Sequence, residues 1–113
     1  MGTSAVGQAA EAAVAEYLTS QGFEILGKNW KTKTCEIDVI AQKDQIIYFV
    51  EVKYRISANQ GSGFEHITPQ KLKQLKFAAR LWCSHFDWDG DYRISGAEVS
   101  GPNFDDIHLV EVD

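Results

Sequence analysis

Apolar positions recur at helical spacing near the start of the chain. Within residues 4–21, Gly7, Ala10, Val14, Tyr17 and Leu18 fall on one stripe, which predicts an amphipathic helix stopped by Gly22. Glu11 lies on the edge of that stripe, so its carboxylate faces inward or borders the core. Residues 23–26 read as a short strand and residues 28–34 as a basic connection around Trp30. Two apolar runs follow, residues 37–41 and 46–52, rich in Ile, Val, Tyr and Phe and separated by polar residues 42–45. They predict an antiparallel hairpin. After a Gly/Ser/Asn loop over residues 57–63, Thr68 reads as a helix N-cap with Pro69 in the first helical position. This helix is expected to run to about Cys83, with Leu72, Leu75, Ala78, Ala79 and Trp82 inward and Lys73, Lys76 and Arg80 outward. Residues 92–99 and 107–112 alternate as two closing strands. The order helix, three strands, helix, two strands predicts an α/β fold with a central mixed sheet flanked by helices.

Length and composition narrow the class. At 113 residues, 44% hydrophobic and 24% charged, the chain reads as one ordered domain, residues 1–113. No apolar run approaches the ~18 residues of a membrane span, and the N-terminus lacks a signal-peptide layout. The expected compartment is the cytoplasm, with no membrane partner. Cys35 and Cys83 stand far apart with no Cys/His cluster, so they read as reduced structural thiols.

The net charge of -5, from 16 acidic and 11 basic residues, argues against indiscriminate coating of nucleic acid. Its distribution says more. Residues 1–27 carry three acids and no base, residues 28–80 ten bases and five acids, and residues 81–113 one base and eight acids. The middle is basic.

That middle also holds the candidate chemistry. Alternation places Glu36 and Asp38 on one face of the first hairpin strand, and Phe49, Glu51 and Lys53 on one face of the second. A turn centred on Asp44 and Gln45 sets Asp38 opposite Glu51 and Glu36 opposite Lys53. Two carboxylates about 4 Å apart near a surface repel by roughly 4 kcal/mol. A divalent cation such as Mg²⁺ or Mn²⁺ would offset this, since both favour hard oxygen donors. The plainer alternative is a solvated strand face with a Glu36–Lys53 ion pair. Residues 87–98 imitate a calcium-binding EF-hand loop, but Tyr92 replaces the required Gly and Gly101-Pro102 stand where an exit helix would begin. They read as an acidic turn leading into a strand. His66, His85 and His108 show no ligand spacing, and Trp30, Trp82 and Trp88 read as packing residues.

The stretch Glu36-Ile37-Asp38-Val39-Ile40, followed by Phe49-Val50-Glu51-Val52-Lys53-Tyr54-Arg55, resembles the signature of the YraN-like family. That family is related to Holliday junction resolvases and to the PD-(D/E)XK nucleases. The resemblance extends through Glu11, Tyr17-Leu18, Gly22-Phe23 and Asn29-Trp30, and onward through Ile67-Thr68 and Lys71. It implies a restriction-endonuclease-like fold and a Mg- or Mn-dependent endonuclease. Asp38 and Glu51 would be metal ligands, Lys53 would position or activate the attacking water, and Glu11 would join them from the first helix. The implied partner is DNA, branched or nicked, and a homodimer follows by analogy alone. Gln70 and Lys71, in the first turn of the second helix, are candidates for a phosphate contact, with Arg55, Lys73 and Lys76 as further nucleic-acid contacts. The chain departs from the family pattern at Ala10, Cys35 and Tyr54, none of which removes a proposed ligand. The alternative function is a non-catalytic nucleic-acid-binding or adaptor protein that keeps the nuclease fold.

Overall fold

The computed structural model describes residues 5–55 and 68–112. Its elements run α1 (Ala5–Ser20), β1 (Glu24–Lys31), β2 (Glu36–Lys43), β3 (Ile46–Arg55), α2 (Pro69–His85), β4 (Asp91–Ser100) and β5 (Asp106–Glu111). The five strands form one mixed sheet in the order β1-β2-β3-β4-β5, antiparallel except for the parallel pair β3–β4. This is the expected α/β arrangement of helix, three strands, helix and two strands.

Alternation along the strands builds two apolar layers. Val39, Ala41 and Val50 pack with Ala10, Val14 and Leu18 of α1, whereas Ile40, Ile47 and Phe49 pack with Leu75, Ala78, Ala79 and Trp82 of α2. Adjacent residues such as Phe49 and Val50 thus serve opposite layers, so each helix covers one face of the sheet. Phe49 meets Trp82 and Tyr92 edge-on, with ring centroids 5.6 Å apart in both pairs.

Local chemistry sets the ends of the elements. Gly22 adopts φ 94 after α1, with Phe23 N–H donating to the Leu18 carbonyl and Gly22 N–H to that of Thr19. This Schellman stop needs a left-handed residue, which glycine supplies without strain. Thr68 caps α2 by accepting from Lys71 N–H, and Pro69 follows it. Both caps are as expected. The β2–β3 turn is centred as expected: Asp44 (φ 54) and Gln45 (φ 69) alone make it, both left-handed as a type I′ hairpin requires.

The basic connection around Trp30 is instead strand. β1 continues to Lys31 because its residues alternate between exposed and half-buried along an edge, where lysines are well accommodated. The helix α2 extends two residues beyond Cys83 and closes on Asp87, whose φ of 56 gives a second Schellman stop through Trp88 N–H and the Cys83 carbonyl. Trp88 then donates from Nε1 to the Asp91 carbonyl, and its ring lies where any side chain on Gly90 would collide. The EF-hand look-alike is therefore a helix stop and a strand start, as the plainer reading held. The Gly/Ser/Asn loop at residues 57–63 lies outside the described residues, as does Ile67. Among the described residues, no helix is long and apolar enough to cross a membrane.

Candidate functional site

The hairpin ladder pairs Lys43 with Ile46, Gln42 with Ile47, and so on to Val39 with Val50. Extending that register by one residue sets Asp38 opposite Glu51, as the turn position implied. There the pattern changes. Instead of continuing the ladder, Val52 donates its backbone N–H to Asp38 Oδ2 at 2.8 Å. The side-chain alternation slips at the same residue, since Ile37 belongs to the α2 layer and Val39, two residues on, to the α1 layer. Asp38 thus sits where β2 and β3 part. Among the described residues, Glu36 and Lys53 form no ion pair.

On the other side of β2, Asn29 lies between the pairs Lys28–Val39 and Trp30–Ile37, hence beside Asp38. It adopts φ 53, a conformation that Asn tolerates better than most residues. Its Nδ2 donates to Glu11 Oε1 at 3.0 Å. Glu11 is only 6% exposed, so this bond gives a buried carboxylate a partner and fixes it on the α1 side of the site. Sequence reasoning gave Asn29 no role. Its preference for left-handed turns inside an otherwise strand-like run was the available signal.

Burial pushes the Asp38 carboxyl up to about 7, and the nearby carboxylates of Glu51, Glu11 and Glu36 push the same way against the Val52 hydrogen bond. The ammonium of Lys71 stands 3.6 Å from Glu51 Oε2. The N-terminal turn of α2 therefore reaches into the carboxylate group. Buried Cys35 feels the same charges: burial raises its pKa foremost, Lys71 pulls it back, and Glu51 and Asp38 push it further up.

The proposed metal ligands fit a hard divalent cation in chemistry and charge. Val52 engages one oxygen of Asp38, which leaves Oδ1 to a cation, and the crowded carboxylates have Lys71 as a nearby positive charge. Among the described residues, however, no three His, Cys, Asp or Glu side chains converge into a ready-made cage. Such an open donor set suits Mg²⁺, which typically uses one or two carboxylates and keeps several waters.

The remaining predicted residues divide. Lys53 is exposed, two residues beyond Glu51 and level with Glu98 of β4. Arg55 ends β3, and one guanidinium nitrogen is shut off from solvent without a hydrogen-bond partner among the described residues. Gln70 and Lys73 are exposed and line one hollow on the outer side of α2, whereas Lys76 is half-buried. Lys71 turns toward Glu51 rather than outward. The structure thus gathers Glu11, Asp38, Glu51 and Lys71, while Gln70 and Lys73 form a separate surface beside them.

The family model described as "Uncharacterised protein family UPF0102" matches residues 10–109. A UPF0102 protein of Leifsonia xyli subsp. xyli is 37% identical over 78 residues, covering 69% of this chain and 66% of the relative. A UPF0102 protein of Pseudomonas putida (strain KT2440) is 38% identical over 86 residues, covering 76% and 69% respectively. One from Prosthecochloris aestuarii is 32% identical over 109 residues, covering 96% and 86%. The matched segment thus spans about two thirds of the first two curated relatives. The matched range takes in the hairpin and the capped helix α2, and the chain belongs to the UPF0102, or YraN-like, family.

Proposed function

We propose that this protein is a metal-dependent nuclease-like protein of restriction-endonuclease-like fold, related to resolvases, that binds DNA and hydrolyses its phosphodiester bonds. The observation that carries this reading is Asp38 held by Val52 N–H where β2 and β3 separate, with Glu51 and Glu11 near enough to raise its pKa and Lys53 two residues beyond Glu51. Asp38 and Glu51 would hold Mg²⁺ or Mn²⁺. When bound, such an ion supplies positive charge to the phosphate and lowers the pKa of a water.

The chain's own groups do the rest. Val52 N–H orients the Asp38 carboxylate and Asn29 orients Glu11. Lys53, exposed at the rim, meets the phosphate and balances charge that develops on its oxygens. Lys71 holds Glu51 and adds positive charge at the start of α2. The test is a Mn²⁺-dependent cleavage screen over branched, nicked, flapped, single-stranded and duplex DNA. Asp38→Asn or Lys53→Ala should each lower cleavage by about 10²-fold or more. Undiminished cleavage by either variant would sink the assignment.

One observation favours a second reading. The Lys71 ammonium already sits against Glu51, so the site has a built-in cation and could serve a non-catalytic nucleic-acid-binding adaptor. Calorimetric titration with Mn²⁺ separates the two. Heat of binding that Asp38→Asn abolishes supports the enzyme, and no binding by the natural chain supports the adaptor.

A further inference from the structure

The outward face of α2 is not a plain solvated surface. Phe77 and Leu81, one turn apart, are 48% and 39% exposed, although Leu75, Ala78, Ala79 and Trp82 already form the buried stripe. Two adjoining hollows of about 670 and 660 Å³ share Thr34 and Phe77. Such volumes lie within the roughly 300–1,000 Å³ typical of ligand clefts. Trp30, Lys33 and Leu81 line the first hollow, and Gln70, Lys73 and Arg80 line the second. Among the described residues no acidic side chain lines either one, in a chain whose net charge is -5.

This surface starts beside the carboxylate site. Gln70, at its near end, adjoins Lys71, whose ammonium lies 3.6 Å from Glu51. His85, at its far end, is about 22 Å away along the helix axis at ~1.5 Å per residue. We propose that this groove binds an unpaired strand of nucleic acid, with a base stacked on Phe77 and the phosphates following Lys33, Lys73 and Arg80. The choice of occupant rests on the phosphodiester reading of the adjacent site, and narrows its substrates to those with a single-stranded segment.

The physical argument is one of discrimination. Cations alone serve duplex and single strand alike, because both present phosphates. An exposed aromatic ring rewards only a base whose face is free, and it does so for any base. Duplex DNA hides those faces in its own stack. An acidic peptide with apolar side chains would also match the charge, but it would not explain why the groove begins at the carboxylate site.

Fluorescence anisotropy of the full chain in EDTA tests this, with a labelled 12-nucleotide oligothymidylate and a blunt duplex of equal length as probes. The natural chain should bind the single strand more tightly than the duplex. Phe77→Ala should weaken single-strand binding by about 5- to 150-fold and leave duplex binding unchanged, while Phe77→Trp should preserve both. The Lys73→Glu/Arg80→Glu variant should weaken both, and the natural chain's affinity for the single strand should fall with salt at a log–log slope near -2, at ~0.7 per neutralised phosphate. The groove assignment is overturned by equal affinity for duplex, by an unchanged Phe77→Ala that retains its fold by circular dichroism, by tighter binding of an acidic peptide, or by a dimer that Phe77→Ala dissolves. A parallel cleavage assay keeps the two readings apart. Phe77-dependent single-strand binding without Mn²⁺-dependent cleavage of any DNA retains the groove and removes the nuclease. Asp38-dependent cleavage with Phe77-independent binding does the reverse.

Discussion

The two ends of the β2–β3 hairpin are made of the same strands and behave oppositely. At the turn end the ladder is continuous, a two-residue left-handed turn closes it, and Ile47, Phe49 and Val50 lie in the apolar layers. At the other end the backbones part, and a carboxylate takes over a ladder donor. Carboxylates and a lysine gather there instead of aliphatic side chains. The first end gains stability from a continuous ladder and apolar packing on both faces. The second gives some of it up, because gathering carboxylates is unfavourable without a cation.

Deleting an anchor at the closed end should have the largest effect. Phe49→Ala removes a ring packed against both Trp82 and Tyr92 and should cost about 3–5 kcal/mol in urea unfolding. If it costs less than 1 kcal/mol, the closed end is not where stability resides. The open end should respond in the opposite direction. Between the ordinary Asp value of 3.8 and its folded value of about 7, Asp38 binds a proton in the native state that it releases on unfolding. Stability from this group therefore falls as pH rises through that window, and the penalty is complete above it. Asp38→Asn can still accept from Val52 and should stabilise the metal-free chain by about 2–4 kcal/mol at pH 8, with the gain vanishing near pH 4. A destabilised Asp38→Asn at pH 8 would contradict the strain assigned to this end.

Asn29 tests the support behind the open end. Asn29→Ala forces a left-handed alanine and unties Glu11, for an expected loss of about 1–3 kcal/mol. Asn29→Gly should lose less, because only the hydrogen bond goes. Equal losses would show that backbone conformation contributes nothing. The smallest effect belongs to the turn, where Asp44→Asn with Gln45→Gly should add about 0.5–1 kcal/mol to thermal stability without altering Mn²⁺ binding.

Legibility in the sequence followed the same division. The closed end could be read because each signal was local: two turn residues fixed a register that placed Asp38 opposite Glu51, and Thr68 with Pro69 announced α2. The open end was legible only as a set of residue types. That Asp38 would replace a ladder bond, and that Lys71 would turn inward to Glu51, depends on where α2 docks, which no short window contains. β1 was cut short because the alternation of a half-exposed edge strand is weak and its lysines resemble a loop. Phe77 and Leu81 went unnoticed for a related reason: an outward helix face rich in lysine and arginine looks solvated until its neighbours across the β1–β2 turn are in place.

The parallel pairing of β3 with β4 has a consequence for the chain during its synthesis. β3 carries Glu51 and Lys53, yet the strand that covers its free edge ends at Ser100, about 45 residues after Arg55. At ~5–20 residues per second, the ribosome takes roughly 2–9 seconds to supply that cover. For that interval the strand bearing the candidate site is the bare rim of a nascent antiparallel sheet, with backbone groups open to pairing by another chain. The lysine and arginine at its end are placed where charge most effectively discourages such pairing. Two residues proposed to handle phosphate would then also guard the newborn protein against aggregation.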